Sequence, residues 1–142
     1  MSTRSAIAKI TENGIKSIYV HFDGYPEGVG ATLQKHYQDE DKIDELLELG
    51  DLSTLGSEIG KKQDFNSYKS ESNTCLAYGR DRGEKNVGAK THDAIEAFMT
   101  YRKRCTCEYL YLRKEGAWNV YCFHDDMPMW RNLNEVLKET KA

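Results

Sequence analysis

A turn of sequence Asn13-Gly14, set between two alternating segments, is the feature that most limits how this chain can fold. Apolar and polar residues alternate over residues 5–10 and again over residues 15–22. In a strand, such alternation puts the apolar side chains on one face, which packs against the core. An Asn-Gly pair tolerates the positive φ angles of a two-residue hairpin turn. The chain therefore begins with a predicted β-hairpin.

The elements predicted after this hairpin mix helices and strands. Helices are expected over residues 28–38, 42–49, after the capping sequence 91–93 and over 132–141, and strands over 74–78, 107–113 and 117–123. This order predicts an α+β fold in which residues 1–142 form a single domain, with a mainly antiparallel sheet and three to four helices. Residues 57–73 are polar without a clear period, which predicts a mobile loop or lid, or else an ordinary solvated loop.

Composition and charge argue against several classes of protein. The formal net charge is −3, so there is no global basic field and a nucleic-acid partner is not expected. No apolar run approaches the ~20 residues that span a bilayer, and residues 1–5 lack the apolar core of a signal peptide, which predicts a cytoplasmic protein with no membrane contact. The four cysteines fit reduced thiols, and the spacing Cys105-Thr106-Cys107 does not suit a zinc knuckle. We predict neither a metal nor a cofactor.

Residues 21–30 join a predicted strand to a predicted helix and form the best candidate for a binding loop. Gly28 and Gly30 would let backbone N–H groups at the helix start face an anion, which the helix dipole also favours. His21, Asp23 and Tyr25 lie beside these glycines as further ligand-binding candidates, with the Tyr25 ring available to stack on a base. The same composition is also typical of an ordinary structural turn, and the Lys-Ser/Thr ending of a P-loop is missing.

Arginines near other predicted strand ends extend this candidate site. Arg80 and Arg82 alternate with Asp81, so in an extended segment both guanidinium groups would point to one side and suit a phosphate. The alternative is that each arginine pairs with Asp81 or another loop carboxylate on the surface. Tyr78 is a second candidate for stacking on a base, and Arg4, just before the first strand, is a further candidate ligand contact.

A smaller set of residues would suit catalysis. His21, Asp23 and His124 have the side chains of an acid–base group or of an oriented base. No nucleophile elbow and no His-Glu-x-x-His arrangement is present in the sequence. Binding without turnover is therefore favoured over enzymatic activity.

Several longer patterns run through the chain. They are residues 1–5 (MSTRS), 19–30 (YVHFDGYPEGVG), the pair 36–37, 50–56 (GDLSTLG), 77–84 (AYGRDRGE) and, more loosely, a Tyr-rich strand pair around 116–118. Together they resemble a family of small phage and prophage proteins that is largely without assigned function and carries no established catalytic residues. Small accessory phage proteins often counter host defences, some by sequestering cyclic or ADP-ribose-type nucleotide signals. By analogy, the resemblance implies an anti-defence, nucleotide-binding protein of the host cytoplasm.

Three functions are thus carried forward. The first is sequestration, without turnover, of a small phosphorylated ligand of nucleotide type. The second is inhibition of a host nuclease or other defence protein by surface contact, for which residues 39–48 supply an acidic tract. The third is hydrolysis of a nucleotide by His21, Asp23 and His124.

A homodimer is also expected, because the second predicted strand pair and its surroundings carry more aromatic side chains than one small sheet face needs. These are Tyr109, Tyr111, Trp118, Tyr121 and Trp130.

Overall fold

A computed structural model describes residues 2–67 and 73–140 and places eight strands in one mixed sheet. They are β1 (Ser5–Thr11), β2 (Gly14–Val20), β3 (Leu52–Thr54), β4 (Leu76–Ala77), β5 (Lys90–His92), β6 (Tyr109–Lys114), β7 (Ala117–Cys122) and β8 (Arg131–Asn132). The strand order is β4-β3-β2-β1-β6-β7-β8, and β5 pairs with β2. The predicted opening hairpin is confirmed, with Thr11 opposite Gly14 at its turn.

Five α-helices accompany the sheet in the described part of the chain. They are α1 (Ala31–His36), α2 (Glu40–Leu49), α3 (Tyr78–Arg82), α4 (Ile95–Arg104) and α5 (Leu133–Thr140). A π-helical turn, Pro26–Gly30, leads into α1, and a 3-10 turn covers Phe65–Ser67. The α+β class and the single domain are confirmed, while α3 includes Arg80 and Arg82, for which an extended segment was assumed. None of the described helices is long and apolar enough to cross a membrane.

Antiparallel pairing dominates the sheet, as predicted. The exceptions are β1 beside β6 and β2 beside β3, which run parallel. The β1–β6 contact joins the two hairpins of the chain side by side, with Ser5 opposite Tyr109. Residues 68–72 of the predicted mobile loop lie outside the described residues, and the part before them is tied to β4 through a bridge between Glu58 and Thr74.

Three helices cover one face of the sheet and one helix covers the other. Leu33 of α1, Leu46 of α2 and Leu133 of α5 are fully buried against the first face, with sheet residues such as Ile18. Phe98 of α4 is buried against the second face, in a smaller cluster that includes Ala6, Ala8 and Leu110. The second face is therefore only partly covered, which leaves some of its polar side chains accessible.

Helix ends and core aromatics show how local sequence fixes this packing. The Asp39 side chain accepts the Asp41 N–H (3.0 Å) as the N-cap of α2, and Gly50 ends that helix with φ of 85°, a backbone angle that glycine allows. Tyr111 and Trp118 are buried, so two of the five aromatics expected at a dimer contact instead belong to the core of one chain. The Trp118 indole N–H donates to the Tyr37 carbonyl (2.9 Å), as buried indoles usually do.

Candidate functional site

Four paired strand ends bring the predicted site residues to one edge of the sheet. One residue at the end of each of four neighbouring strands pairs with the next, in the order Val20, Ser5, Tyr109 and Cys122. His21 follows the first member of this row and His124 lies just beyond the last. Three strand spacings of about 4.8 Å separate the two ends of the row by about 14 Å. His21 and His124 therefore occupy separate parts of the edge and do not form one acid–base pair.

Arg4, Tyr19, His21 and Thr106 form what we call the edge cluster. The Tyr19 hydroxyl and His21 Nδ1 are hydrogen-bonded at 2.8 Å, because residues two apart in an extended segment share a face of the sheet. Arg4 Nη1 donates to Thr106 Oγ1, and the Thr106 hydroxyl in turn donates to the Cys105 carbonyl. Thr106 holds this position with φ of 64°, a costly angle for a β-branched residue and one that often marks a functional loop.

The edge cluster carries the positive charge of Arg4, and Glu108 lines the same open recess. Within residues 2–67 and 73–140, no Asp or Glu oxygen lies within 4 Å of the Arg4 guanidinium. Burial, together with the Arg4 charge, lowers the pKa of His21 below its ordinary value. Burial also raises the pKa of Tyr19 to about 12, although Arg4 opposes that shift. At neutral pH the cluster thus offers a guanidinium, a neutral imidazole and a phenol.

A second group of side chains, the aromatic platform, consists of Phe65, Tyr78 and Arg82. The Phe65 and Tyr78 rings are stacked with centroids 5.6 Å apart. Arg82 Cζ lies 4.5 Å from the Phe65 centroid and 5.0 Å from the Tyr78 centroid, while Arg82 Nε donates to Glu84 at 2.6 Å. Asp51 connects the two groups, because its carboxylate accepts the Tyr19 N–H (2.9 Å) and its backbone carbonyl accepts the Tyr78 N–H (3.2 Å).

Arg80 has a different position from the one predicted. Residues 78–82 are helical, so the expectation that Arg80 and Arg82 point to the same side, which assumed an extended segment, is wrong. The Arg80 guanidinium donates to the Ile59 and Cys75 carbonyls, both at 2.8 Å, and to the Asp81 carboxylate. The alternative pairing of Arg80 with Asp81 and of Arg82 with Glu84 is the one observed.

The glycine-rich segment is built as a turn that satisfies its own backbone. Gly28 N–H donates to the Tyr25 carbonyl (2.9 Å), and Val29 N–H donates to the Asp23 carbonyl (2.8 Å). Gly30 is buried, and a Cβ there would meet Tyr111 Cε1 at 3.2 Å. The N–H of Gly28 is thus already hydrogen-bonded, and that of Gly30 is not exposed. These contacts fit the alternative prediction that this segment is a structural turn, and neither N–H faces an anion.

Two other predicted ligand residues contact each other. The exposed Tyr25 hydroxyl donates to Asp23 Oδ1 at 3.2 Å, and Asp23 adopts φ of 58°. Both residues lie on the turn that follows His21, and the hydrogen bond between them does not involve the edge cluster. Asp23 therefore has no contact with His21 of the kind that an acid–base pair requires.

His124 lies in a separate environment on the same sheet edge. Its Nε2 is 3.7 Å from Glu108 Oε1, its ring packs edge-on against Tyr109, and Cys122 Sγ is 3.4 Å from Nδ1. These groups line or adjoin a cavity of about 290 Å³ between the π-helical turn, β7 and α5. In the described ranges, no group of three or more His, Cys, Asp or Glu side chains is arranged to hold a metal ion.

Sequence reasoning missed three members of these groups. Tyr19 could have been included, since its alternation with His21 places both side chains on one face. Thr106 and Phe65 had no such signal, because the first depends on an unusual backbone angle and the second on a loop folding back onto α3.

Comparison of the chain with protein-family models, with curated proteins and with solved structures gives no match.

Proposed function

We propose that this protein binds a small phosphorylated ligand of nucleotide type and holds it without turnover, with the phosphate at the edge cluster. The observation that carries the proposal is that the Arg4 guanidinium has no carboxylate partner among the described residues. Arg80, Arg82, Arg113 and Arg131 each pair with a carboxylate, whereas Arg4, Arg102 and Arg104 form no ion pair among the described residues. Of these three, Arg102 is buried against the Ser17 hydroxyl, whereas Arg4 is only partly buried, donates to the Thr106 hydroxyl and lies beside His21. An arginine left without a carboxylate keeps its fork of donors for an anion.

The neighbours of Arg4 suit the rest of such a ligand. With Nδ1 bonded to the Tyr19 hydroxyl, His21 has Nε2 as its second polar atom for a phosphate oxygen. The Phe65–Tyr78 stack, half-buried and capped by an arginine, suits the flat face of a base or another aromatic ring. A ligand with a phosphate at one end and an aromatic ring at the other would use both groups of side chains.

Binding fits the geometry better than hydrolysis does. His21 and His124 are separated along the sheet edge, and the Asp23 carboxylate accepts a hydrogen bond from Tyr25. General acid–base catalysis requires its groups within hydrogen-bond reach of one reacting centre. The three residues of the hydrolase hypothesis do not meet that requirement together.

Inhibition of a host protein by the acidic tract has weaker support than ligand binding. Within residues 39–48, Glu40 pairs with Arg113 and Lys9, Asp44 with Lys9, and Glu48 with Lys16. Charges already matched inside the chain attract an external partner less.

The biological setting is the part of the proposal that follows from the resemblance. We infer that a phage uses the protein in the host cytoplasm to sequester a defence nucleotide, and that two copies associate through half-exposed aromatics such as Tyr121 and Trp130. Light scattering over a range of protein concentrations tests the dimer, and a monomer mass at every concentration would end that part.

Calorimetry tests the binding function directly. The titrants are ADP-ribose, a cyclic dinucleotide, AMP, ribose 5-phosphate and inorganic phosphate. We expect at least one nucleotide to bind, Arg4→Gln to weaken it at least tenfold, and Tyr78→Ala to weaken the nucleotide more than ribose 5-phosphate. Arg131→Gln, which removes an exposed arginine elsewhere, is the matched control and should leave affinity unchanged. Absence of binding by every titrant, or equal losses in the Arg4 and Arg131 variants, would contradict the proposal.

A further inference from the structure

The cavity beside α5 combines three soft donor groups that the proposed ligand site does not use. Cys122, His124 and Met129 line it together and supply a thiol, an imidazole and a thioether. None of its lining residues belongs to the edge cluster or the aromatic platform. Thiolate and thioether sulfur are the donors that select Cu(I), and imidazole is a common companion ligand.

The spacing of Cys122 and His124 is that of two ligands on one ion. Sγ lies 3.4 Å from Nδ1 and 3.6 Å from Nε2. A metal–sulfur bond of about 2.3 Å and a metal–nitrogen bond of about 2.0 Å, meeting at about 120° in a three-coordinate site, place the two donors about 3.7 Å apart. Because Sγ is almost equally far from both nitrogens, the ring must turn to aim one lone pair at a shared ion. The His124 side chain is 55% exposed, which leaves it room to turn.

The charge of the cavity wall favours a cation over a second phosphate. Glu27, Asp125 and Glu139 line the cavity, and Arg131, which lines it as well, pairs with Glu139. The wall therefore holds three carboxylates against one arginine, whose charge acts on both Glu139 and Asp125. An excess of negative charge in a recess raises the local concentration of cations.

We propose that Cys122, His124 and Met129 form a binding site for Cu(I). The ion replaces the thiol proton of Cys122: a sulfur–copper bond forms, the S–H bond breaks, the proton leaves to solvent, and copper stays in the +1 state. His124 and Met129 complete a three-coordinate site. Because the thiol must lose its proton when copper binds, binding weakens as the pH falls.

Competition with a coloured chelator tests this site in the full chain. The protein is titrated without oxygen into the Cu(I)–bicinchoninate complex, and its loss of colour measures the copper withdrawn. We expect the wild-type protein to withdraw one equivalent, Cys122→Ser to withdraw none, and His124→Gln and Met129→Leu each to bind at least tenfold more weakly. Cys105→Ser and Met127→Leu are matched controls, because neither residue lines the cavity, and both should bind as the wild type does.

Three results would overturn the proposal. The first is that the wild-type protein fails to compete for copper. The second is that the Cys105→Ser change removes binding as completely as Cys122→Ser does. The third is that His124→Gln and Met129→Leu both bind as tightly as the wild type, which means that a single thiol holds the ion. Circular dichroism checks the fold of each variant, and if Cys122→Ser does not fold, the variants of exposed His124 and Met129 decide the question.

Discussion

Arg80 and its sequence neighbour Asp81 form a two-point ion pair, with Nε 2.9 Å from Oδ1 and Nη2 3.1 Å from Oδ2. Asp81 is buried, and its carboxylate also accepts the backbone N–H groups of Ala77 (2.8 Å) and Gln63 (2.9 Å). Arg80 reaches the Ile59 carbonyl from the other side. This pair thus fastens the loop at residues 59–63 to the end of β4 and the start of α3.

Replacing Asp81 by Asn should destabilise the protein by about 2–4 kcal/mol, because it leaves a largely buried guanidinium without its counter-charge. Urea unfolding followed by circular dichroism measures the free energy of unfolding. Asp126→Asn, a change at an exposed carboxylate, is the control and should shift stability by less than about 0.5 kcal/mol. Equal effects of the two changes would contradict this role for Asp81.

The same pair gives stability a dependence on acid pH. Burial acts to raise the pKa of Asp81, but the Arg80 side chain and the two backbone N–H donors outweigh it, and the pKa is lowered. A lowered pKa contributes stability that is present above the ordinary carboxylate value and lost as the pH falls toward the folded value. The stability gap between wild type and Asp81→Asn should therefore be full at pH 6 and shrink below about pH 4. A gap that stays constant down to pH 2 would show that Asp81 does not act as a charge.

Gly28→Ala should cost about 2–3 kcal/mol, because a Cβ at this position would lie 2.3 Å from the Asp23 carbonyl oxygen. The contact is with backbone, so a side-chain rotation cannot relieve it. Gly88→Ala is the matched control, since a Cβ there meets nothing within 4 Å. Thermal unfolding of the two variants should show a clear loss for the first and little change for the second. A loss of ligand affinity in Gly28→Ala without loss of stability would instead favour a direct ligand role.

The sequence predicted the elements whose signals are local. The β1–β2 hairpin follows from its Asn-Gly turn, and α2 follows from Asp39 and Gly50 at its ends. Strand β3 has no such signal, because Leu52 joins the sheet by pairing with Val20 and with Ala77, both more than twenty residues away. The parallel β1–β6 contact was equally beyond local patterns, since it depends on how two distant hairpins pack.

Part of the candidate site could be predicted from the sequence, because the alternation along a strand and the position of its end determine where nearby side chains lie. Arg4 and His21 were named from the sequence, and the structure places both at the same sheet edge. The pairing of Arg80 with Asp81 was one of the two alternatives from the sequence. The bond of Arg80 to the Ile59 carbonyl could not be anticipated, because the loop and not the strand pattern brings this acceptor close. A charged residue at a strand end can bind a ligand or pair with another group of the protein itself, and only the tertiary contacts show which of the two it does.

Arg82 and Arg80 should therefore respond differently to removal. Arg82→Ala should change stability by less than about 1 kcal/mol, because its ion pair with Glu84 is exposed, but it should weaken nucleotide binding by removing the cap of the aromatic platform. Arg80→Ala should cost about 2–4 kcal/mol, since it leaves the buried Asp81 carboxylate unpaired. Urea unfolding and calorimetry with ADP-ribose measure the two effects. The reverse pattern, with Arg82 essential for stability and Arg80 for binding alone, would contradict the assignment.

The pKa of His21 provides a test of the edge cluster that does not require the ligand to be identified. Burial is the main cause of its lowering and the Arg4 charge is the second, so Arg4→Gln should raise the His21 pKa toward the ordinary 6.5. Because the folded pKa lies below the unfolded one, His21 costs the wild-type protein stability as the pH falls below about 6.5, and Arg4→Gln should reduce that loss. Titration of the imidazole resonances by NMR measures the shift, with Arg131→Gln as the control that should leave it unchanged.

A bound phosphate should likewise raise the His21 pKa and bind more tightly at pH 6 than at pH 8. An unchanged His21 pKa in Arg4→Gln would show that the two side chains do not share one electrostatic environment, and the phosphate position proposed for the edge cluster would then be wrong.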